Sequence, residues 1–274
     1  MSFSYREWTP IPELAGLVEA IWSLRCDDPL PPADPQRIVP DGCSELILNF
    51  ADPVEQILSS GRTVRQPPIL FVGQLRSPLY IRPTGRLDQV GIRFRPAGAA
   101  GFMREPQSRL LGIGVSLHDL APKLARELAG AAFDATNPEA RIATIQTGLA
   151  TAVRRSPTPI GRLADRLVRS WGAAPIDDLV HDIGLSARQL GRRFQLEVGL
   201  RPKLLARICR FQRIFHALES HPAHWAQVAA DCGYFDSSHL IRDVRELAGE
   251  TPSRLIEESD RLTGLFTRAQ RIRR

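Results

Sequence analysis

The spacing of apolar residues changes along the 274-residue chain, and the changes outline its organisation. In the first third, short apolar runs at 44–50, 69–72, 79–81 and 89–94 read as β-strands. Turn signals built on Pro, Gly and Asp separate them at 40–42, 52–53, 60–61, 67–68 and 83–85. Short strands at such regular spacing predict a small β-barrel or sandwich. Ahead of them, Leu14, Leu17, Val18, Ile21 and Trp22 recur at helical spacing and predict a helix over 11–24 packed on the barrel. From residue 117 the period is helical. Leu117, Leu120, Leu124 and Leu128 fit one helix, and Ile142, Ile145, Leu149 and Val153 fit a second that starts at Asn137 and Pro138. These two helices either form a dimer seam or join two domains. Residues 154–159, polar with two prolines, read as a linker. Beyond it everything reads as helix, beginning with a stripe of Ile160, Leu163, Leu167, Val168 and Trp171.

The last hundred or so residues contain an internal repeat. Residues 176–194 and 225–244 each open with a short apolar helix and reach a glycine, Gly184 or Gly233, suited to the left-handed conformation that closes a helix. An N-cap follows, Ser186 in the first copy and Asp236 in the second. The next helix carries a leucine (Leu190, Leu240) and, four residues on, an apolar anchor (Phe194, Val244). Each copy ends on a glycine with a proline three residues later, Gly199 with Pro202 and Gly249 with Pro252. Short helix, glycine turn and capped second helix describe a helix-turn-helix. The predicted units are 176–197 and 225–247. A long helix striped by Leu204, Leu205, Ile208, Phe211, Ile214, Phe215 and Leu218 joins them. The expected fold is α+β. A small β-barrel with flanking helices over 1–155 precedes an all-α domain over 156–274.

Charge sharpens this picture. The formal net charge is +6, with 17 basic and 16 acidic residues in 1–155 but 19 and 14 in 156–274. Between 184 and 213 eight basic residues face one acid, Glu197. Such a cluster is an electrostatic footprint for phosphate. The B-DNA major groove admits one helix, whose N-terminal part reaches base edges. Double-stranded DNA is therefore the expected partner. No run approaches the apolar length of a membrane span, and the N-terminus lacks a basic stretch followed by an apolar one. A cytoplasmic protein with no membrane partner is expected. The cysteines Cys26, Cys43, Cys209 and Cys232 are scattered, with no metal-ligand spacing, and read as reduced, buried thiols.

Residues 160–258 resemble the DNA-binding domain of the AraC/XylS family of bacterial transcription regulators. The likeness is clearest over 228–242 and closes with Gly249, Glu250, Thr251 and Pro252. Val244 and Arg245 stand where the family usually has Phe-Lys, and His239 and Leu240 where it has an aromatic pair. Segments 37–50, 71–73 and 91–98 resemble a cupin-like domain often attached to such regulators. The resemblance implies base contacts from Arg188, Gln189, Arg192 and Arg193 in the first copy and Ser237, Ser238, His239 and Arg242 in the second. It assigns phosphate contacts to Arg201, Lys203, Arg207, Arg210 and Arg245. Arg can pair bidentately with guanine, and Gln with adenine. The second recognition segment, 233–245, holds two acids and two bases, so the first unit is expected to supply most of the affinity. Two unlike readers in one chain predict two adjacent major grooves, about 34 Å apart, and non-palindromic sites. Together with the helices at 117–153, the resemblance implies a homodimer, and it admits RNA polymerase as a further partner.

For the N-terminal domain the favoured reading is a small-molecule effector. Strand parity and turn position put Trp22, Arg37, Asp41, Glu45, Phe71 and Arg93 around its pocket, a mix of apolar walls and polar anchors. A domain that serves only as a partner surface is the open alternative. No cofactor, metal or catalytic residue is expected. A metal-dependent cupin enzyme needs several imidazoles converging in the barrel, and only His118 precedes residue 181. A DNA repair or modification protein with a reactive cysteine needs an activated thiolate, and no cysteine has a His motif beside it; Cys209, between Arg207 and Arg210, is read as core.

Overall fold

The computed structural model describes residues 3–30, 35–135, 137–176, 178, 183–220 and 224–259. Among the described residues ten strands form the N-terminal half: β1 Ser4–Trp8, β2 Val18–Cys26, β3 Gln36–Ile38, β4 Glu45–Asn49, β5 Val54–Ile57, β6 Thr63–Arg65, β7 Ile69–Val72, β8 Leu79–Pro83, β9 Leu87–Phe94 and β10 Gly114–Ser116. They do not close into a barrel. Two antiparallel sheets form instead, in the orders β1-β2-β9-β4-β7-β10 and β3-β8-β5-β6. The cupin-like sheet is present with its edges open.

Side-chain alternation splits the larger sheet between two cores. Leu46, Leu48, Ile69, Phe71, Val90, Ile92 and Phe94 pack with Leu117, Leu124, Leu128, Ile142, Ile145 and Leu149 from the helices on one face. Trp22, Leu24, Cys26 and Leu87 turn to the other face, where they meet Ile38, Val54 and Ile81 of the small sheet. Three layers result: small sheet, large sheet, helices.

Two sequence expectations fail here for identifiable reasons. The helix predicted over 11–24 is instead two successive turns, with Ala15 N–H donating to the Ile11 carbonyl and Val18 N–H to the Leu14 carbonyl, followed by strand β2. The β2–β9 register shifts between Val18 and Ala20, a β-bulge. That extra residue puts Val18 and Ile21 in the same core, which imitates helical spacing. The helix predicted through Leu117–Leu128 is two, α1 (Leu117–Leu120) and α2 (Pro122–Phe133). Pro122 forces the break, because Ala121 before it leaves the helical region (φ −147°, ψ 73°). The next helix, α3 (Pro138–Ala152), begins as read, with Asn137 capping Ala140 N–H.

The C-terminal half contains α4 (Pro159–Arg169), α5 (Ala187–Glu197), α6 (Pro202–Ser220), α7 (Trp225–Asp231), α8 (Ser237–Ala248) and α9 (Pro252–Ser259). The short first helix of the first repeat falls largely on residues outside the description. Every predicted anchor is buried: Leu190, Phe194, Leu240 and Val244 share one core with Leu205, Ile208, Cys209, Phe211 and Ile214 of α6.

Val39, from the β-rich half, belongs to that same core. Its neighbours bolt the halves together. Gln212 of α6 donates to the Pro40 carbonyl at 2.7 Å. A Cβ on Gly42 would lie 2.9 Å from Leu205 Cδ1. Gly249, which ends α8 at φ 74°, needs glycine for that left-handed turn and also sits against Pro78 and Tyr80. Its counterpart in the first repeat, Gly199, lies against the backbone of Gln107. Arg37 approaches Glu250 to 3.8 Å. The C-terminal ends of both α5 and α8 are thus docked on the β-rich half.

Candidate nucleic-acid interface and ligand cavity

Helices α5 and α8 are held alike and present their first turns outward. Ser186 caps α5 in a reciprocal box: it accepts from Gln189 N–H at 3.3 Å, while Gln189 Oε1 accepts from Ser186 N–H at 2.9 Å. Asp236 caps α8 by accepting from His239 N–H at 2.7 Å. Arg188, Gln189, Arg192 and Arg193 are all exposed on α5. The Gln189 carbonyl oxygen is occupied by the cap, so a bidentate grip on adenine requires that box to open. On α8, Ser238 and Arg242 are exposed and Ser237 is half-buried. The His239 ring packs edge-on against Tyr234, 5.1 Å between centroids.

The residues predicted to hold phosphate divide into two groups. Arg201, Lys203 and Arg245 are exposed. Arg207 is instead a tie between α6 and α8, pairing with Asp243 at 2.8 Å and Glu246 at 2.7 Å. The two carboxylates hold its guanidinium charge more firmly than usual. Arg210 lies over the Tyr234 ring and donates to the Gly233 carbonyl at 3.3 Å. Asp243, one of the two acids counted in 233–245, is buried and faces inward. The outer face of α8 is therefore more basic than its sequence count. Phe235, which precedes the α8 N-cap, is 93% exposed.

A cavity lies between the two sheets. Ile38, Ile47, Val72, Leu75, Leu79 and Ile81 form its apolar wall, and Asp41, Cys43, Glu45, Gln89 and Trp22 its polar end. Gly91 opposes Trp22 across the β2–β9 ladder, and any Cβ there would collide with the indole. The ring lies across that gap with Nε1 donating to Glu45 at 3.2 Å. Arg93 spans Glu45 at 3.1 Å and Asp41 at 3.4 Å. Cys43 Sγ donates to Glu19 at 3.5 Å, and Cys43 N–H to Asp41 at 3.0 Å. Burial pushes the Asp41 carboxyl up to about 7, with the Arg93 charge opposing it, and it raises Glu19 as well. Burial disfavours the Arg93 cation, but Glu45 and Asp41 outweigh this and hold it charged.

Residues 179–258 match a family described as a helix-turn-helix domain, the AraC-type unit. The C-terminal part of the chain is therefore a helix-turn-helix domain of the type found in AraC regulators. Residues 6–116 match a domain of unknown function, DUF6597. No curated protein matches the chain. Among solved structures it is similar to ToxT from Vibrio cholerae, at 10% identity, covering 94% of this chain and 98% of ToxT, with a TM-score of 0.48. A ToxT structure bound to (E)-4-(8-methylnaphthalen-1-yl)but-3-enoic acid aligns at 9% identity over 94% and 99%, TM-score 0.46. The AraC-like transcriptional activator CuxR aligns at 15% identity over 80% and 87%, TM-score 0.30.

The structure keeps only part of the predicted pocket together. Trp22, Asp41 and Glu45 line the cavity, and Arg93 braces its two acids from behind. Phe71 does not line it. One residue before Val72 on β7, it faces the helical core with Phe94, 6.3 Å away. Arg37 likewise points away, to Glu250 and the Tyr80 ring. Glu19, Cys43 and Gln89 escaped the sequence reading. The bulge in β2 hid the parity of Glu19, and Gln89 sits on a strand whose two faces are both covered. Among the described residues no His, Cys, Asp and Glu group is arranged to hold a metal ion. All four cysteines are buried, and burial pushes the Cys209 thiol up to about 12 and Cys232 to about 11. Both thiols are held in the unreactive, protonated form. No helix among the described residues is long and apolar enough to cross a membrane.

Proposed function

We propose that this DNA-binding regulator reads a non-palindromic site with α5 and α8 and that its β-rich half senses a small molecule. Arg188, Arg192 and Arg193 on α5, with Ser238 and Arg242 on α8, contact bases. Arg201, Lys203 and Arg245 hold phosphates. Phe235 joins the second reader, its ring pressed on a sugar or thymine methyl, since an aromatic this exposed at a recognition-helix cap has no packing role. The division of labour runs over 1–155 for sensing and 156–274 for reading.

One observation carries the sensing half of this reading. Segment 38–43 is shared between the cavity and the helical core: Ile38, Asp41 and Cys43 line the cavity, while Val39, Pro40 and Gly42 bear on α6. A change in the cavity is felt at the seat of both readers. The apolar stripes of α2 and α3, offered above as a dimer seam, are buried against the large sheet within the chain. A homodimer therefore uses another surface.

Genome-wide footprinting of the full chain tests the DNA half. The expected footprint covers two adjacent major grooves per subunit, with unlike half-sites. Protection of a single groove, or strictly palindromic sites, would sink it.

A further inference from the structure

Three carboxylates and one guanidinium meet at the polar end of the cavity. Glu45 and Asp41 share Arg93, and Glu19 is linked to them through Cys43. Arg95, the next cation along β9 and beyond, pairs with Asp165 at 3.8 Å. Ionised together, the three acids would carry a surplus of two negative charges over Arg93, and burial answers it by holding protons on Asp41 and Glu19. Leaving such a surplus buried is unfavourable, and a ligand cation that enters relieves it. An anionic ligand would add to the surplus and would find the one central guanidinium already shared by two carboxylates.

A second observation shows that the end is built to receive something. The Gln89 side chain lines the cavity, is 4% exposed, and makes no side-chain hydrogen bond with any of the described residues. Buried amides are normally satisfied, so an unpartnered one facing a cavity marks a place for a polar ligand atom or water. The opposite wall, Ile47, Val72, Leu79 and Ile81, is aliphatic.

We propose that the cavity binds a small molecule carrying a protonated amine on an apolar body. The ammonium sits between Asp41 and Glu45, Gln89 takes a neighbouring polar atom, and the carbon skeleton lies on the aliphatic wall. The proposal deepens the sensing role inferred above and rests on it. The cavity has a volume of about 50 Å³, room for only a few waters. A larger amine has to displace a wall. Segment 39–43, which carries no strand pairing, is the wall that has to give, and it is tied to Gln212 of α6 and to Gln74 through the Pro40 and Gly42 carbonyls. The amine would thereby alter the seating of the helical domain.

The test uses the full chain, with 2-phenylethylamine, 2-phenylethanol and 3-phenylpropanoate as cationic, neutral and anionic probes of similar size. Thermal shift and calorimetry should show binding by the amine alone. Asp41→Asn and Glu45→Gln, each checked for native circular dichroism, should weaken it by about tenfold or more, the loss expected when a charged hydrogen bond is removed. Should one variant fail to fold, the other and the probe series still decide. Equal or tighter binding of the alcohol or carboxylate overturns the amine class while leaving a sensing cavity. So does amine binding that ignores both substitutions. If none of the three probes binds, both the amine class and the sensing role are overturned.

Discussion

Gln212 reaches out of α6 to donate a buried hydrogen bond to the Pro40 carbonyl, 172 residues away in sequence and 2.7 Å away in space. The bond joins the middle of the helix between the two readers to a loop on the rim of the cavity. Gln212→Leu leaves the Pro40 carbonyl buried without a donor. A loss of about 1–3 kcal/mol in unfolding free energy is expected. Amide exchange should also quicken over 38–43 and the facing turns of α6, with β9 unchanged. Faster exchange spread evenly over the chain would mean the bond contributes to stability alone and does not hold the two halves.

Arg207 and Lys203 lie one helical turn apart and are expected to behave differently. Lys203 is exposed, so Lys203→Ala should leave stability alone and lower the salt dependence of DNA binding by about one unit of slope. Arg207 is engaged with Asp243 and Glu246. Arg207→Ala strands the buried Asp243 carboxylate and should lower stability by about 1–3 kcal/mol, with the salt slope nearly unchanged. Denaturant melts and a salt titration of site binding decide the matter. A full unit of slope lost in Arg207→Ala would return it to the phosphate contacts.

The repeat was legible because its anchors obey local rules. Caps, closing glycines and buried leucines at fixed offset need nothing from the rest of the chain, and Ser186, Gly233, Leu190 and Leu240 all stand where the spacing puts them. Strand parity was only partly legible, and the bulge is not the whole reason: β2 carries a register shift and β7 carries none. Trp22 was placed on the cavity, but Phe71 was put on the wrong face of β7, and a one-residue error inverts a strand. The roles of Arg207 and Asp243 were not legible, because each is set by a partner on another helix. On sequence alone both counted as charges presented to DNA.

Phe235 gives a test of the reading face that does not depend on charge. Its ring is almost wholly exposed, so Phe235→Ala should shift the melting midpoint negligibly, within about 0.5 kcal/mol. Affinity for the cognate site should fall several-fold at every salt concentration, with the slope unchanged, because no cation is lost. Wild-type affinity in Phe235→Ala would remove the residue from the interface.

Asp41 makes stability depend on pH in a direction opposite to that of most carboxylates. Its folded-state value is about 7, raised by burial, against about 3.9 in an unfolded chain. Between these values the native protein keeps a proton that the unfolded chain has released. Stability from this group is therefore full below about pH 4 and is lost as pH rises towards 7. Glu19 is raised by the same cause and adds to the slope. Asp41→Asn can still accept from Cys43 N–H but has no proton to lose. The melting temperature of the variant relative to wild type should climb steadily from pH 5 to about 7.5 and then level off. A difference that stays flat over that interval would mean Asp41 is ionised throughout, held so by Arg93, and the surplus negative charge at the polar end would then be present at every working pH.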